Sequence, residues 1–285
     1  MFARRPGDFT WIIDLQSGEI LHKLTAADER HYYGHGVFTA DGAFLLCSEN
    51  QFESGQGVIG VYDTSRNYER VDEIATHGVG PHEIKLLNDQ TTLVVANGGI
   101  RTHPDLPRVK MNLDEMRPNL AYLDIGSGRL IDKVEPPEQW RKLSIRHIDI
   151  ATDDRVAVAM QYQGGMDQRP PLVALHQRGR PLQLLSAPGR MQQRMRNYCG
   201  SVVFSRDGSR FAVSSPRGGL VTYWSSEGRY LGMHKQNDVC GLSRYGSGFI
   251  ASDGSGRLLS IDDGLAISET LADEEVRWDN HLTPV

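Results

Sequence analysis

Two kinds of β-hairpin take turns along this chain from end to end. One kind comprises "FTWIIDLQSGEILHKL", "GVIGVYDTSRNYERVDEI", "NLAYLDIGSGRLIDKV", "PLVALHQRGRPLQLL", "LVTYWSSEGRYLGMH" and "GRLLSIDDGLAISETL", six in all. The other comprises "HGVFTADGAFLLCSEN", "HEIKLLNDQTTLVVAN", "HIDIATDDRVAVAMQ", "SVVFSRDGSRFAVSS" and "GLSRYGSGFIAS", five in all. Short apolar runs are cut by Gly, Asp, Asn and Ser about every 8–12 residues, and helical periodicity is nearly absent. A strict alternation with a repeat of roughly 40–50 residues is the pattern of propeller blades. Each blade is a four-stranded meander, strands A to D from the axis outward. The five hairpins are A–B and the six are C–D. A β-sandwich does not account for this alternation. The chain therefore reads as all-β, a single β-propeller domain over residues 1–285 with six C–D hairpins visible. Helix is expected, if anywhere, in the loop after Asn97.

Composition narrows the function classes. With 39% hydrophobic and 8% aromatic residues, the 285-residue chain can bury a large core. A formal net charge of -5 gives no electrostatic reason to expect nucleic acid. No run approaches the roughly 20 apolar residues of a membrane helix. The three cysteines cannot all pair within one chain. No phosphate-loop, dinucleotide-binding or nucleophile-elbow motif occurs.

Blade topology sorts the loops. The A–B and C–D turns fall at one end of a blade and are generic ("ADG", "TDD", "GSG"); Asp63 and Asp124 are expected to stabilise such turns. The D–A and B–C connections fall at the other end and carry the chemistry. His35 in "YYGHGVFTADG", His82 in "GPHEIKLLNDQ", His147 in "IRHIDIATDD" and His281 in "WDNHL" each read as the start of a strand A. Neutral imidazole binds Zn, Cu, Fe and Ni, so these four are candidate ligands of a transition metal ion at the axis. Cys199 and Cys240 lie close enough in register to add thiolate. The alternative is a water-filled channel, or a larger anionic ligand held by Arg146 and Arg217. The candidate ligand-binding residues around the histidines are Glu83, Arg146, Asn97, Arg101, Gln161, Arg217, Arg5 and Glu49. Arg101 belongs to the longest B–C connection, "ANGGIRTHPDLPRVKMNLDEMRP", which reads as a lid or as a clasp between blades.

Several of these segments together resemble a known family. "FARRPG", "HYYGHGVFTADG", "GVIGVYD", "HGVGPHE", "VVANGGIRTHPD", "MNLDEMRPNLAYLD", "SIRH", "SSPRGG" and "WDNHL" are similar to a bacterial family of periplasmic β-propellers of unknown function. The resemblance covers essentially the whole chain. It implies seven blades in the full-length family, an export signal often of twin-arginine type, and a periplasmic location. It also implies a link to iron acquisition, because such genes often neighbour imelysin-type ones, with periplasmic iron-uptake proteins as partners. It implies no established activity. This chain opens at "MFARRPG", which reads as the inside of a strand B, and ends at "NHLTPV", which reads as the start of a strand A. Either a six-bladed ring closes between Met1 and Val285, or a seven-bladed ring lacks its first strands.

Three functions are compatible with these residues. The first is a non-catalytic periplasmic propeller that holds a metal ion or small anionic ligand at the axis. The second is a lactonase-like hydrolase: "GPHEIKLLNDQTTLVVANGG" is similar to a segment of lactonase-type propellers, and His82 or His147 would work with Glu83 and Arg146. The third is a protein-interaction platform of the WD40-like repeat kind. Fold alone does not choose among them, and whether the chain is an enzyme is open at this level.

Overall fold

The computed structural model describes every residue except 4–6, 107–108, 279–280 and 284–285. Arg5 and the closure expected at Val285 therefore lie outside the described residues. Strands dominate, and they group by sheet in chain order. A two-stranded sheet pairs β1 (Phe9–Ile13) with β2 (Ile20–Thr25). Five four-stranded antiparallel meanders follow. The first holds β3 (Arg30–Phe38), β4 (Phe44–Gln51), β5 (Gln56–Asp63) and β6 (Glu69–Ala75). The second holds β7 (Pro81–Leu86), β8 (Thr92–Asn97), β9 (Asn119–Asp124) and β10 (Leu130–Val134). The third holds β11 (Leu143–Ile150), β12 (Val156–Tyr162), β13 (Val173–His176) and β14 (Gln183–Leu185). The fourth holds β15 (Ser201–Phe204), β16 (Arg210–Ser215), β17 (Leu220–Ser225) and β18 (Tyr230–Lys235). The last holds β19 (Val239–Tyr245), β20 (Gly248–Asp253), β21 (Arg257–Ile261) and β22 (Ile267–Asp273). These meanders are propeller blades, and the five A–B and six C–D hairpins fall where the repeat places them. Residues 1–3 run antiparallel along β1, with Trp11 N donating to Met1 O at 2.8 Å, as a strand B lies beside a strand C.

The chain divides into two compact units, Met1–Ile145 and Arg146–Val285. In the first unit β3 and β4 pack against β7. In the second, β15 and β16 pack against β19, and β12 against β15. Period-2 alternation explains how inner strands serve two cores. Leu45 and Cys47 of β4 join Leu24, Tyr32 and Tyr62. Leu46, on the other face of the same strand, joins Ile59, Ile84 and Leu93. Fully burying such a leucine contributes about 1.5–3 kcal/mol. Burial falls outward: β8 and β16 are buried almost throughout, whereas β6 and β10 are largely exposed. The turns are closed by aspartates. Asp63 Oδ1 accepts from Ser65 N and Oγ, and Asp124 Oδ1 from Ser127 N and Oγ.

Two local expectations need correction. The α-helix is not in the loop after Asn97; it is α1 (Arg190–Arg194), one short turn after β14, and among the described residues that loop is held by turns. Strands A also begin earlier than the histidines. "RHYYG" and "LSIR" are β-strand, because Tyr32 pairs with Glu49 and His31 with Asn50 before the histidine is reached. No helix among the described residues is long and apolar enough to cross a membrane.

Candidate functional site

In the first unit, a bulge re-aims His35. The register of β3 against β4 shifts between Tyr32 and Gly36, and Gly34 takes φ +99°, a left-handed conformation that glycine adopts without a Cβ penalty. Gly36 answers a different need. A Cβ there would lie 2.7 Å from the Phe2 ring and 3.0 Å from Leu46 O. Ser48 Oγ donates to the His35 carbonyl at 3.1 Å and pins the bulge. His82 is the second residue of β7, at another register shift, between Pro81 and Glu83. Because β3 packs on β7, the two rings meet, with centroids 5.4 Å apart and planes at 45°. Their ligating nitrogens lie within 4.8 Å of each other. Glu83 Oε1 stands 3.9 Å from His35 Nδ1, and both side chains are mostly buried.

In the second unit, His147 on β11 is buried, and its ring lies 4.9 Å from that of His281 at 56°. His281 does not begin a strand; it lies beyond β22 in irregular backbone. The terminal segment nonetheless sits against β19, because a Cβ on Gly241 would meet Leu282 at 3.0 Å and the His281 backbone at 3.1 Å. Burial pushes the Cys199 thiol up to about 12, and Sγ donates to Leu172 O. Cys240 Sγ donates to Asp238 O at 3.1 Å. All three cysteines are free and buried.

The remaining candidates are placed as follows. Glu49 is fully buried, and its carboxylate accepts from Tyr62 Oη at 2.6 Å and from Arg70 at 3.0 Å. Asn97, also fully buried, donates to Thr76 O and Asn119 Oδ1. Arg101 donates to Glu53 O at 2.6 Å, and its own amide donates to Asn112 Oδ1, so it clasps the long connection to the preceding blade. In the second unit Arg146 is buried in β11. Gln161 donates to Cys199 O at 3.2 Å. Arg217 stacks over the Tyr198 ring at 4.4 Å. Within the first unit the structure brings together His35, His82 and Glu83, and within the second His147 with His281.

The chemistry of the first unit's pair fits a metal. A shared ion at about 2.1 Å from each imidazole requires the two nitrogens to be no more than about 4.2 Å apart, which is a small ring adjustment from the observed limit. The Glu83 carboxylate lies on the Nδ1 side of the His35 ring. At 3.9 Å it is short of a hydrogen bond, and a carboxylate that orients a ligating histidine would have to close to about 3 Å.

A family model described as "Protein of unknown function (DUF1513)" matches residues 1–285. The chain belongs to this family. No curated protein matches it at a significant level. Membership agrees with the resemblance drawn from the motifs, and the family description assigns no activity.

Two features of this DUF1513 chain escape a reading of its motifs. Tyr32, Tyr62, Glu49 and Arg70 form one buried polar network. The signal for it was the odd-numbered alternation of Cys47 and Glu49 on one face of β4, opposite an aromatic strand. Asn50 is fully buried, and neither amide atom has a hydrogen-bond partner among the described residues. Nothing in its local sequence distinguishes it from a turn asparagine.

Proposed function

We propose that this DUF1513 protein is a non-catalytic binding propeller that holds a transition metal ion through His35 and His82 of the first unit, with His147 and His281 of the second unit as a further pair of candidate ligands. The observation that carries the reading is the His35–His82 pair, with the Glu83 carboxylate behind His35. Neutral imidazoles select Zn, Cu, Fe and Ni over Mg and Ca, whose sites are built from oxygen. The pairing of His147 with His281 supports the same reading in the second unit. In keeping with the resemblance, the protein works in the periplasm, and its role lies in iron acquisition beside periplasmic iron-uptake proteins.

The test is elemental analysis of protein purified from its native compartment, followed by calorimetric titration with Fe, Cu and Zn at neutral pH. A bound transition metal is expected, with heat for at least one of the three. His35→Ala/His82→Ala should abolish or greatly weaken binding while circular dichroism stays unchanged. His147→Ala/His281→Ala should weaken it, and the stoichiometry tells whether the pairs serve one ion or two. No metal in the purified protein and no heat for any ion would refute the reading.

A further inference from the structure

At the generic end of the first unit's blades, opposite the histidines, lies an open groove of about 720 Å³. It runs between the A–B turn after β3, strand β6, and the turn after β9. Leu46, Ile74 and Ile125 form its floor. Phe44 and Val71 stand on its walls with 36% and 38% of their surface exposed. Phe44 and Val71 thus offer apolar surface to whatever enters the groove.

The rim has one sign of charge. Asp41, Asp72 and Glu73 line the groove, and among the described residues no lysine or arginine does. Two further acids adjoin lining residues in sequence, Asp89 before Gln90 and Asp124 before Ile125, and both accept hydrogen bonds within their own turns. The nearby cations Arg30 and Arg70 are engaged with Glu73, and Arg129 lies beside Asp124. The Thr39 hydroxyl and the Ala43 amide hold Asp41 below the usual carboxylate range, so it is ionised at neutral pH.

We infer that this groove docks an extended segment of a partner protein that presents a bulky apolar side chain flanked by lysine or arginine. The apolar side chain enters between Phe44 and Val71. The flanking cations meet Asp41 and Asp72, which supply selection by charge more than affinity. The inference is independent of the metal proposal, since it uses neither the histidines nor their end of the blades.

Three labelled peptides test it by fluorescence polarisation on the full chain. The first is Ac-KLKFKL-NH2, the second carries Glu for each Lys, and the third carries Ser for Leu and Phe. The first should bind, and the other two should bind at least about tenfold more weakly, a difference of about 1.4 kcal/mol. Raising the salt from about 0.05 to about 0.5 M should weaken the first, because the rim charges are exposed and screened. Phe44→Ser and Asp72→Lys should each weaken it about tenfold. Both positions are exposed, and unchanged thermal melts would confirm the fold. No binding of the first peptide, equal binding of the first two, or indifference to Phe44→Ser would overturn the inference. So would a concentration-dependent dimer in sedimentation velocity that Phe44→Ser abolishes, which would make a second copy the occupant.

Discussion

The Glu49 carboxylate, with no exposed surface, accepts a 2.6 Å hydrogen bond from the Tyr62 hydroxyl, and Arg70 closes its other oxygen at 3.0 Å. Tyr32 Oη continues the network to Tyr62 at 2.9 Å. Burial pushes both tyrosine hydroxyls well above their ordinary range, and the Glu49 charge adds to the shift at both. The two charged partners are not equivalent. Arg70 keeps 23% of its side-chain surface and a second carboxylate, Glu73. Among the described residues, Arg70 is the cation paired with Glu49.

Removing Arg70 is therefore expected to cost more than removing the charge of Glu49. Arg70→Met strands a buried carboxylate and should destabilise by about 3–5 kcal/mol. Glu49→Gln keeps an amide oxygen for Tyr62 and should cost about 1–3 kcal/mol. The double variant should be more stable than Arg70→Met alone. Urea unfolding at neutral pH measures all three, and equal costs for the two single variants would contradict this account.

A second tie joins blades within the second unit. Asp149 Oδ2 accepts from Phe204 N at 2.7 Å and from Arg244 at 3.0 Å, while Arg244 Nε donates to Phe204 O. Asp149→Ala leaves the buried Phe204 amide without an acceptor and should cost about 1–3 kcal/mol. Asp149→Asn should recover part of that loss through its amide oxygen. If alanine and asparagine proved equally costly, packing rather than the hydrogen bond would account for the loss of stability.

The blade repeat was legible because apolar runs and turn residues alternate at a fixed spacing, and Asp63 and Asp124 were readable as turn stabilisers because Asp followed by Ser or Gly closes a turn locally. The position of His35 within its strand was not. A bulge at Gly34 inserts extra residues, and nothing local tells a glycine in a bulge from one in a loop. The Tyr62–Glu49 contact also escaped, because it is not a directly opposed pair: Tyr62 lies opposite Leu45, and its hydroxyl reaches along the same face of β4 to Glu49, four residues on. The short helix at Arg190–Arg194 follows a glycine and lacks a side-chain N-cap, so it carried no start signal.

Turn aspartates also set the acid limit of the fold. Hydrogen bonds from Ser205 and Ser209 hold Asp207 down at about 2, against an ordinary 3.8. Ser65 and Ser127 lower Asp63 and Asp124 in the same way. The fold binds these groups in their ionised form, so their contribution is complete above the ordinary value and is lost as pH falls toward the folded one. Stability should therefore decline between about pH 4 and pH 2. Ser205→Ala/Ser209→Ala should flatten that part of the profile, as followed by thermal melts. An unchanged slope would remove Asp207 from the explanation.

The final prediction concerns Glu83, which rests on the metal reading. Its carboxylate lies 3.9 Å from His35 Nδ1, on the side of the ring away from an ion held by Nε2. Brought to hydrogen-bond distance, it would favour the tautomer with the proton on Nδ1 and make Nε2 the better donor. Glu83→Gln keeps the shape and removes the charge, and it should lower metal affinity about 10–100-fold without altering the melting temperature of the metal-free protein. Glu83→Asp should restore part of the affinity. The loss should also depend on pH, because a ligating imidazole must be deprotonated. Titration of the wild type and both variants at about pH 6 and about pH 8 measures this. If Glu83→Gln lowered stability and affinity together, and the ratio did not change with pH, Glu83 would be part of the scaffold and not a residue that orients His35.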